Sequence, residues 1–120
     1  TNTLICDYYN ANPSSMAVAI DNLGKLQADY KVLILGDMFE LGNDAPAEHR
    51  LVIQKAMQTP VNERLFIGTE FYKHQPMDGA TFYKTAEEAQ EVLATHPIRN
   101  ATILIKGSRG MALERLVGLL

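Results

Sequence analysis

The chain has 120 residues, of which 47% are hydrophobic and 21% charged, and its formal net charge is −3. This length fits one domain, and the composition is too apolar for a disordered chain and lacks the basic excess that nonspecific nucleic-acid binding needs. The single cysteine, Cys6, excludes an internal disulfide and a cysteine-based zinc site, and no apolar run approaches the roughly 20 residues that span a bilayer. We therefore expect a reduced, cytoplasmic domain that binds neither nucleic acid nor membrane.

The first half of the chain alternates apolar runs with segments of helical spacing. Thr3–Cys6 and Lys31–Leu35 predict strands buried on both faces, because their apolar residues do not alternate with polar ones. We interpret Cys6 as a small core residue at the end of the first strand. Asn12 predicts the cap of a first helix, and Pro46 predicts the first turn of a second. The first helix is expected to bury Met16, Ala19, Ile20, Leu23 and Leu26.

The second half continues this pattern with one less regular segment. Gly68–Gly79 contains proline and glycine near its end and predicts a loop that extends outward. Thr85 and Glu88 predict a capping box at the start of a third helix. Ser108 is expected to cap a last helix, whose apolar residues recur at helical spacing. Further strands are predicted at Arg64–Ile67 and Thr102–Ile105, with a weaker one at Thr81–Tyr83.

Strands that alternate with helices predict an α/β fold. Such a chain forms parallel βαβ units joined by right-handed crossovers, which place helices on both faces of the sheet. We expect one three-layer, Rossmann-like domain with a mostly parallel sheet of about five to six strands.

Polar loops follow three of the predicted strands, over Asp7–Pro13, Gly36–Gly42 and Lys106–Gly110. In an open parallel sheet, ligands collect beyond the carboxyl ends of the strands, where helix N-termini also point. These loops are therefore expected to form a binding edge.

Each polar residue in these loops also has a purely structural interpretation. Asn12 and Ser108 are common helix caps, and Asp7 and Asp37 are common in Asx-turns. The cations of the third loop are compatible with ordinary solvated charges. Together, however, two carboxylates, two carboxamides and two cations at one edge favour a binding role.

The residue types indicate different ligand chemistries. Lys106 and Arg109 flank a predicted helix N-terminus, a combination that suits a carboxylate or phosphate. Asp7 suits sugar hydroxyls or an ammonium group, and Asn10 suits an amide or a purine edge. His49 is a surface residue, a loop anchor or a proton acceptor. His74 and His96 have no second ligand at useful spacing, so no metal site is predicted.

Three familiar catalytic motifs are absent from the sequence. There is no Gly-x-x-x-x-Gly-Lys-Ser/Thr loop, no Gly-x-Gly-x-x-Gly after the first strand and no Gly-x-Ser-x-Gly elbow. The chain therefore carries no triphosphate cradle, dinucleotide fingerprint or hydrolase nucleophile of its own.

The same three loops carry motifs that resemble those of a known family. The motifs are Tyr9-Asn10-Ala11-Asn12-Pro13, then Leu35-Gly36-Asp37-Met38 with Glu40-Leu41-Gly42 and Glu48-His49-Arg50, then Ile105-Lys106-Gly107-Ser108-Arg109. In order and spacing they resemble the C-terminal domain of the Mur ligases over nearly the whole chain. Within that family, the chain is most similar to the members that add D-alanyl-D-alanine to UDP-N-acetylmuramoyl-tripeptide.

The resemblance implies an ATP-dependent, amide-forming ligase with three domains, of which residues 1–120 are the last. An N-terminal domain would bind the UDP-sugar, and a central domain would bind most of the ATP and magnesium. This chain alone would bind neither cofactor and would be inactive. The implied partners are those two domains, D-alanyl-D-alanine and the UDP-N-acetylmuramoyl-tripeptide.

The resemblance also implies roles for the polar residues. Asp37 and His49 would be catalytic, with Asp37 orienting its loop or the incoming ammonium group. The nucleotide would be bound by Asp7, Asn10 and Asn12, and the dipeptide carboxylate by Lys106, Ser108 and Arg109.

Two other classes stay open on the sequence alone. A phospho-acceptor receiver domain is also a single parallel α/β domain, and Asp7, Asp37 and Lys106 follow its layout. Its magnesium site, however, needs a pair of carboxylates where this chain has one, because hard cations favour several oxygen ligands. The remaining class is a structural α/β interaction domain.

Overall fold

The computed structural model describes the whole chain, Thr1–Leu120, and its centre is a single parallel sheet. The strands are β1 (Thr3–Asp7), β2 (Lys31–Gly36), β3 (Glu63–Ile67), β4 (Thr81–Tyr83) and β5 (Thr102–Lys106). Their spatial order is β1-β5-β2-β3-β4, so the last strand of the chain lies between the first two. Each predicted strand is present, with ends within one residue of the prediction.

Four α-helices and one 3-10 segment connect the strands, and two further 3-10 segments follow β5. Asn12 caps the first helix as predicted: its Oδ1 accepts the Ser15 N–H at 2.9 Å, while Ser15 Oγ accepts the Asn12 N–H at 3.1 Å. No helix has the length and apolar character needed to cross a membrane. The helices are α1 (Pro13–Lys25), α2 (Ala45–Gln58), α3 (Thr69–Tyr72) and α4 (Ala86–Thr95), and the 3-10 segments are Gly42–Asp44, Arg109–Met111 and Leu113–Leu119.

Two apolar clusters, one on each face of the sheet, hold the layers together. On one face, α1, α2 and α3 bury side chains such as Met16, Ile53 and Phe71 against the sheet. On the other face, α4 and the last 3-10 segment bury residues including Leu93 and Leu116. All six residues of β2 are buried, as the continuous apolar run predicted. The predicted three-layer α/β architecture is therefore confirmed.

The direction of the chain explains which helix covers which face. From β1 to β4 the chain moves across the sheet in one direction, and α1, α2 and α3 share one face. From β4 to β5 it moves back, and a right-handed crossover then places α4 on the opposite face. The segments that follow β1 and β2 therefore leave the sheet on one side, and the segment that follows β5 leaves on the other.

The first strand is not buried as predicted. β1 pairs only with β5, and four of its five residues are exposed. Ile5 retains 40% of its accessible surface, and Cys6 is an exposed free thiol rather than a core residue. The reason is the strand order, which places an apolar run at the edge of the sheet.

Two expectations for the connecting segments are also wrong. Gly68–Gly79 was expected to be a loop, but it begins with the short helix α3, whose Phe71 is fully buried. The last predicted helix is a 3-10 segment, Leu113–Leu119, and Ser108 provides no side-chain cap. Its hydroxyl instead accepts the N–H of Phe39, because the loop after β2 lies next to the loop after β5.

Replacing Arg64 by Met is expected to lower the free energy of unfolding by about 2 kcal/mol. Arg64 donates from Nε to the Ala56 carbonyl and from Nη2 to the Thr59 carbonyl, each at 2.7 Å, at the negative end of α2. Methionine keeps the aliphatic stem but leaves those carbonyls without these donors. Urea denaturation measures the change. The matched control is Arg115→Met, whose exposed ion pair with Glu87 should contribute less than about 1 kcal/mol, and equal losses would contradict the prediction.

Candidate functional site

The polar loops predicted to form a binding edge meet at the carboxyl end of β5. In the sheet register, Lys106 lies opposite Asp7 of β1 and Leu35 of β2. The segments after β1 and β5 leave on opposite faces of the sheet, so this edge is a topological switch point. Crevices that hold ligands in open parallel sheets form at such points.

Lys106 is buried beneath the loop that follows β1. Its Nζ lies 2.6 Å from Asp7 Oδ2 and donates to the Asn10 carbonyl at 3.1 Å. The Lys106 side chain is 2% exposed, whereas the Asp7 side chain is 49% exposed. Lys106 therefore fixes the loop and orients Asp7, while Asp7 keeps a carboxylate oxygen within reach of a ligand.

Ser108 joins the loop after β5 to the loop after β2. Its N–H donates to the Asp37 carbonyl at 3.0 Å, and its Oγ accepts the Phe39 N–H at 2.8 Å. The residue is 7% exposed. Since the hydroxyl acts as an acceptor here, its own proton remains free to donate to a ligand.

Arg109 is the exposed cation of the site. Its guanidinium lies 4.8 Å from the centroid of the Tyr9 ring, and Nη1 donates to Tyr9 Oη at 3.2 Å. Tyr9 is itself 70% exposed. A guanidinium stacked on an aromatic ring has fewer rotamers to lose when it binds an anion.

These loops enclose a small open cleft, which we call the aromatic cleft. Its volume is about 250 Å³. Arg109 and Ser108 contribute a cation and a hydroxyl group to its lining, and Tyr9 and Phe39 contribute aromatic rings. The lining residues are Tyr9, Asn10, Ala11, Phe39, Glu40, Ser108, Arg109 and Gly110.

A second cleft, the outer cleft, adjoins the aromatic cleft at the same sheet edge. Its volume is about 390 Å³. The two clefts share only Phe39 and Gly110 among their lining residues. A Cβ atom on Gly110 would lie 2.4 Å from Phe39 Cε2, so the absence of a side chain there lets the ring pack against the backbone. Other residues of the outer cleft include Thr69, Lys84, Glu87, Met111 and Arg115.

Asp37 is buried and bonded to the backbone. Its two carboxylate oxygens accept the N–H groups of Glu70 at 2.9 Å and Phe71 at 3.0 Å, in the first turn of α3. Only 3% of the residue is exposed. Burial raises the pKa of Asp37, while the two N–H donors act in the opposite direction. Gly68 makes this packing possible, since a Cβ atom there would lie 2.2 Å from Asp37 Cγ.

His49 is fully buried, with both ring nitrogens bonded to the backbone. Nε2 lies 3.0 Å from the Met38 nitrogen and Nδ1 lies 2.7 Å from the Ala45 carbonyl oxygen. Because the Met38 N–H can only donate, Nε2 must be the acceptor and Nδ1 must carry the proton. The ring is therefore neutral and connects α2 to the loop after β2, 3.8 Å from Asp37 Oδ1.

The carboxylates of the candidate site are engaged within the chain. No group of three or more His, Cys, Asp or Glu side chains lies close enough to hold a metal ion. Asp7 is paired with Lys106, and Asp37 uses both oxygens on backbone N–H groups. For a nucleotide, the residues that fit are the half-exposed Asp7 carboxylate and the exposed Asn10, which suit hydroxyl and base groups.

The structure brings some of the predicted site residues together and separates others. Asn10, Ser108 and Arg109 line the aromatic cleft, whereas Asp7 and Asn12 line a different open cleft beside α1. Asn12 serves as a helix cap, Lys106 and His49 lie beneath the surface, and the largely buried Asp37 lines the outer cleft. The sequence interpretation missed Tyr9, Phe39 and Gly110. The sequence feature that could have identified them is the presence of aromatic residues and a glycine inside the same polar loops.

The chain matches the Mur ligase, glutamate ligase domain over residues 1–109. It is 34% identical to the UDP-N-acetylmuramoyl-tripeptide–D-alanyl-D-alanine ligase of Rickettsia prowazekii, covering 95% of this chain and 26% of that protein. It is 38% identical to the enzyme of the same name from Treponema pallidum, covering 98% of this chain and 27% of that protein. The chain thus spans about a quarter of the length of these relatives.

Solved structures show the same fold. A crystal structure of MurF from Acinetobacter baumannii matches with a TM-score of 0.76 at 26% identity, over 98% of this chain and 28% of that one. MurF ligase from Thermotoga maritima in complex with ADP matches with a TM-score of 0.75 at 21% identity, over 97% of this chain and 27% of that one. The match of the family model over residues 1–109 shows that the chain belongs to the Mur ligase, glutamate ligase domain family.

Proposed function

We propose that residues 1–120 are the C-terminal domain of an ATP-dependent ligase that joins D-alanyl-D-alanine to UDP-N-acetylmuramoyl-tripeptide in peptidoglycan precursor synthesis. The observation that carries the proposal is the convergence of the three motif-bearing loops on the aromatic cleft. Two relatives that carry this name are 34% and 38% identical to the chain. Since the chain spans about a quarter of their length, the UDP-sugar-binding and ATP-binding domains lie elsewhere in the proposed polypeptide.

In the proposed reaction, ATP activates the terminal carboxylate of the tripeptide as an acyl phosphate, which the amine of the dipeptide attacks. The C-terminal domain closes over the ATP-binding domain, holds the dipeptide and keeps water from the acyl phosphate. Reliance on ATP and the free Cys6 thiol both support a cytoplasmic location.

The dipeptide carboxylate is assigned to Ser108 and Arg109. The Ser108 hydroxyl has a proton free to donate, because its oxygen accepts the Phe39 N–H. The Arg109 guanidinium is held over the Tyr9 ring at the mouth of the cleft. A charge-assisted bond from the guanidinium together with a hydroxyl bond suits a carboxylate, and the small cleft suits a short peptide.

The nucleotide is assigned to Asp7 and Asn10. The Asp7 carboxylate is half-exposed, so it can accept hydrogen bonds from sugar hydroxyls. Lys106 is assigned a positioning role behind Asp7 rather than a place on the dipeptide carboxylate, because its buried Nζ is bonded to Asp7 and the Asn10 carbonyl. Asn12 supports the same loop as the cap of α1.

Asp37 and His49 are also assigned positioning roles. The side chains of both residues are buried and hydrogen-bonded to backbone groups, and neither residue lines the aromatic cleft. Through Met38, they fix the loop that carries Phe39. The same geometry argues against a phospho-acceptor domain, since both carboxylate oxygens of Asp37 accept backbone N–H groups and Lys106 is bonded to Asp7 instead.

Replacing Arg109 by Ala in the full-length ligase is expected to raise the KM for D-alanyl-D-alanine about tenfold, because a charge-assisted bond to the carboxylate is lost. The KM for ATP should change by less than about threefold, and steady-state kinetics measures both. Arg115→Ala is the matched control, since that arginine lies outside the aromatic cleft. Equal effects of Arg109→Ala on the two substrates would remove the carboxylate assignment.

A further inference from the structure

Phe39 is an exposed aromatic residue that is nevertheless held in place. It keeps 46% of its accessible surface. Its backbone N–H donates to Ser108 Oγ at 2.8 Å, and the N–H of the preceding Met38 is bonded to the buried His49 ring at 3.0 Å. Its ring packs against Gly110, where a side chain would collide with it. Phe39 is therefore a fixed part of the cleft wall.

This wall separates two spaces. The aromatic cleft, of about 250 Å³, and the outer cleft, of about 390 Å³, have only Phe39 and Gly110 in common. Gly110 contributes no side chain, so the Phe39 ring is the one side chain that both clefts share. We expect removal of the ring to connect the two clefts, because no other side chain borders both.

The position of the dipeptide carboxylate, which comes from the proposed function, determines what meets this wall. With the carboxylate on Ser108 and Arg109, the adjoining α-carbon lies within one bond of it and carries the side chain of the last residue. That side chain therefore lies among the residues next to Ser108 and Arg109, and these include Phe39 and Gly110. A methyl group fits beside a fixed ring, whereas a large side chain would need the space of the outer cleft.

We infer that Phe39 is a specificity-determining residue that limits the size of the C-terminal side chain of the dipeptide substrate. The inference rests on the proposed function, because it requires the carboxylate to bind at Ser108 and Arg109. Without the Phe39 ring, a larger C-terminal side chain would extend into the outer cleft.

The test compares D-alanyl-D-phenylalanine with D-alanyl-D-alanine as substrates of the full-length ligase. Phe39→Ala is expected to raise the ratio of their kcat/KM values about tenfold in favour of the larger dipeptide, the scale typical of changes in an apolar pocket. The KM for ATP should stay within about threefold of its starting value. Phe39→Leu, which preserves an apolar anchor, should raise the ratio by less. Leu51→Ala, an exposed apolar residue outside both clefts, is the matched control and should not change it.

The outcomes separate this inference from the proposed function. An unchanged ratio in both Phe39 variants, together with a selective effect of Arg109→Ala on the dipeptide KM, would overturn the inference and leave the carboxylate assignment intact. An Arg109→Ala effect shared equally by ATP and the dipeptide would overturn both. Near-ultraviolet circular dichroism of each variant verifies that the fold is retained.

Discussion

Replacing Asp37 by Ala is expected to lower the free energy of unfolding by about 3 kcal/mol, because one buried and one partly buried N–H group lose their acceptor. The carboxylate accepts the Glu70 and Phe71 N–H groups at the start of α3, and no other side chain is bonded to them. Alanine also leaves a void beside Gly68, whose backbone lies against the carboxylate. Urea denaturation at neutral pH measures the loss.

The Asp37 prediction has a matched control and a definite pH dependence. Asp44→Ala removes an exposed aspartate at the start of α2 and should lower the free energy of unfolding by less than about 1 kcal/mol.

Because burial raises the pKa of Asp37 in the folded chain, the folded state holds the proton more tightly than the unfolded state. The contribution of Asp37 to the free energy of unfolding is then greatest below its unfolded pKa of about 3.9. It declines as the pH rises through the pKa of Asp37 in the folded chain. The loss on Asp37→Ala should therefore be larger near pH 4 than near pH 7, and the reverse order would contradict the assigned direction.

Replacing Lys106 by Met in the full-length ligase is expected to lower kcat/KM for ATP by about a hundredfold, the scale of a misplaced binding group. Lys106 is the buried cation that holds Asp7 and the Asn10 carbonyl. Methionine fills a similar volume but leaves the loop after β1 without this clamp. The KM for the dipeptide should rise less than the KM for ATP, which is the opposite order to Arg109→Ala.

The comparison of these two variants tests the division of the site into a nucleotide side and a carboxylate side. Lys55→Met is the matched control, since its Nζ lies 2.8 Å from Asp21 in a partly exposed ion pair on the surface of the helices. If Lys106→Met raised the KM for the dipeptide more than the KM for ATP, Lys106 would instead be assigned to the dipeptide carboxylate. Thermal unfolding of each variant separates a change in binding from a loss of folded protein.

Much of the fold could be predicted because local patterns are sufficient for the central elements. The unbroken apolar run of β2 indicates burial on both faces, and Asn12 before a proline indicates the start of α1. The edge position of β1 could not be predicted, because its apolar run looks the same as that of a central strand. Only the order of the strands, set by contacts far apart in sequence, exposes Ile5 and Cys6.

The location of the candidate site could be predicted from the sequence, but the burial and hydrogen bonds of its side chains could not. Strand ends indicate which loops meet, and the three loops do meet around β5. Burial of a single polar side chain depends on tertiary contacts, so the sequence grouped Lys106 with Arg109 although one is buried and the other exposed. For the same reason the bonds of His49 to Met38 and Ala45 could not be foreseen.

The position of β5 has a consequence for when the site can form. β1 pairs with no strand other than β5, and Lys106 and Asp7 are 99 residues apart in the chain. During synthesis, the first strand therefore stays unpaired until β5 has been made, and such distant contacts form slowly because a long loop must close first. The last strand inserts between two earlier ones and brings Lys106, Ser108 and Arg109 with it. Assembly of the sheet and completion of the candidate binding edge are thus one and the same late event.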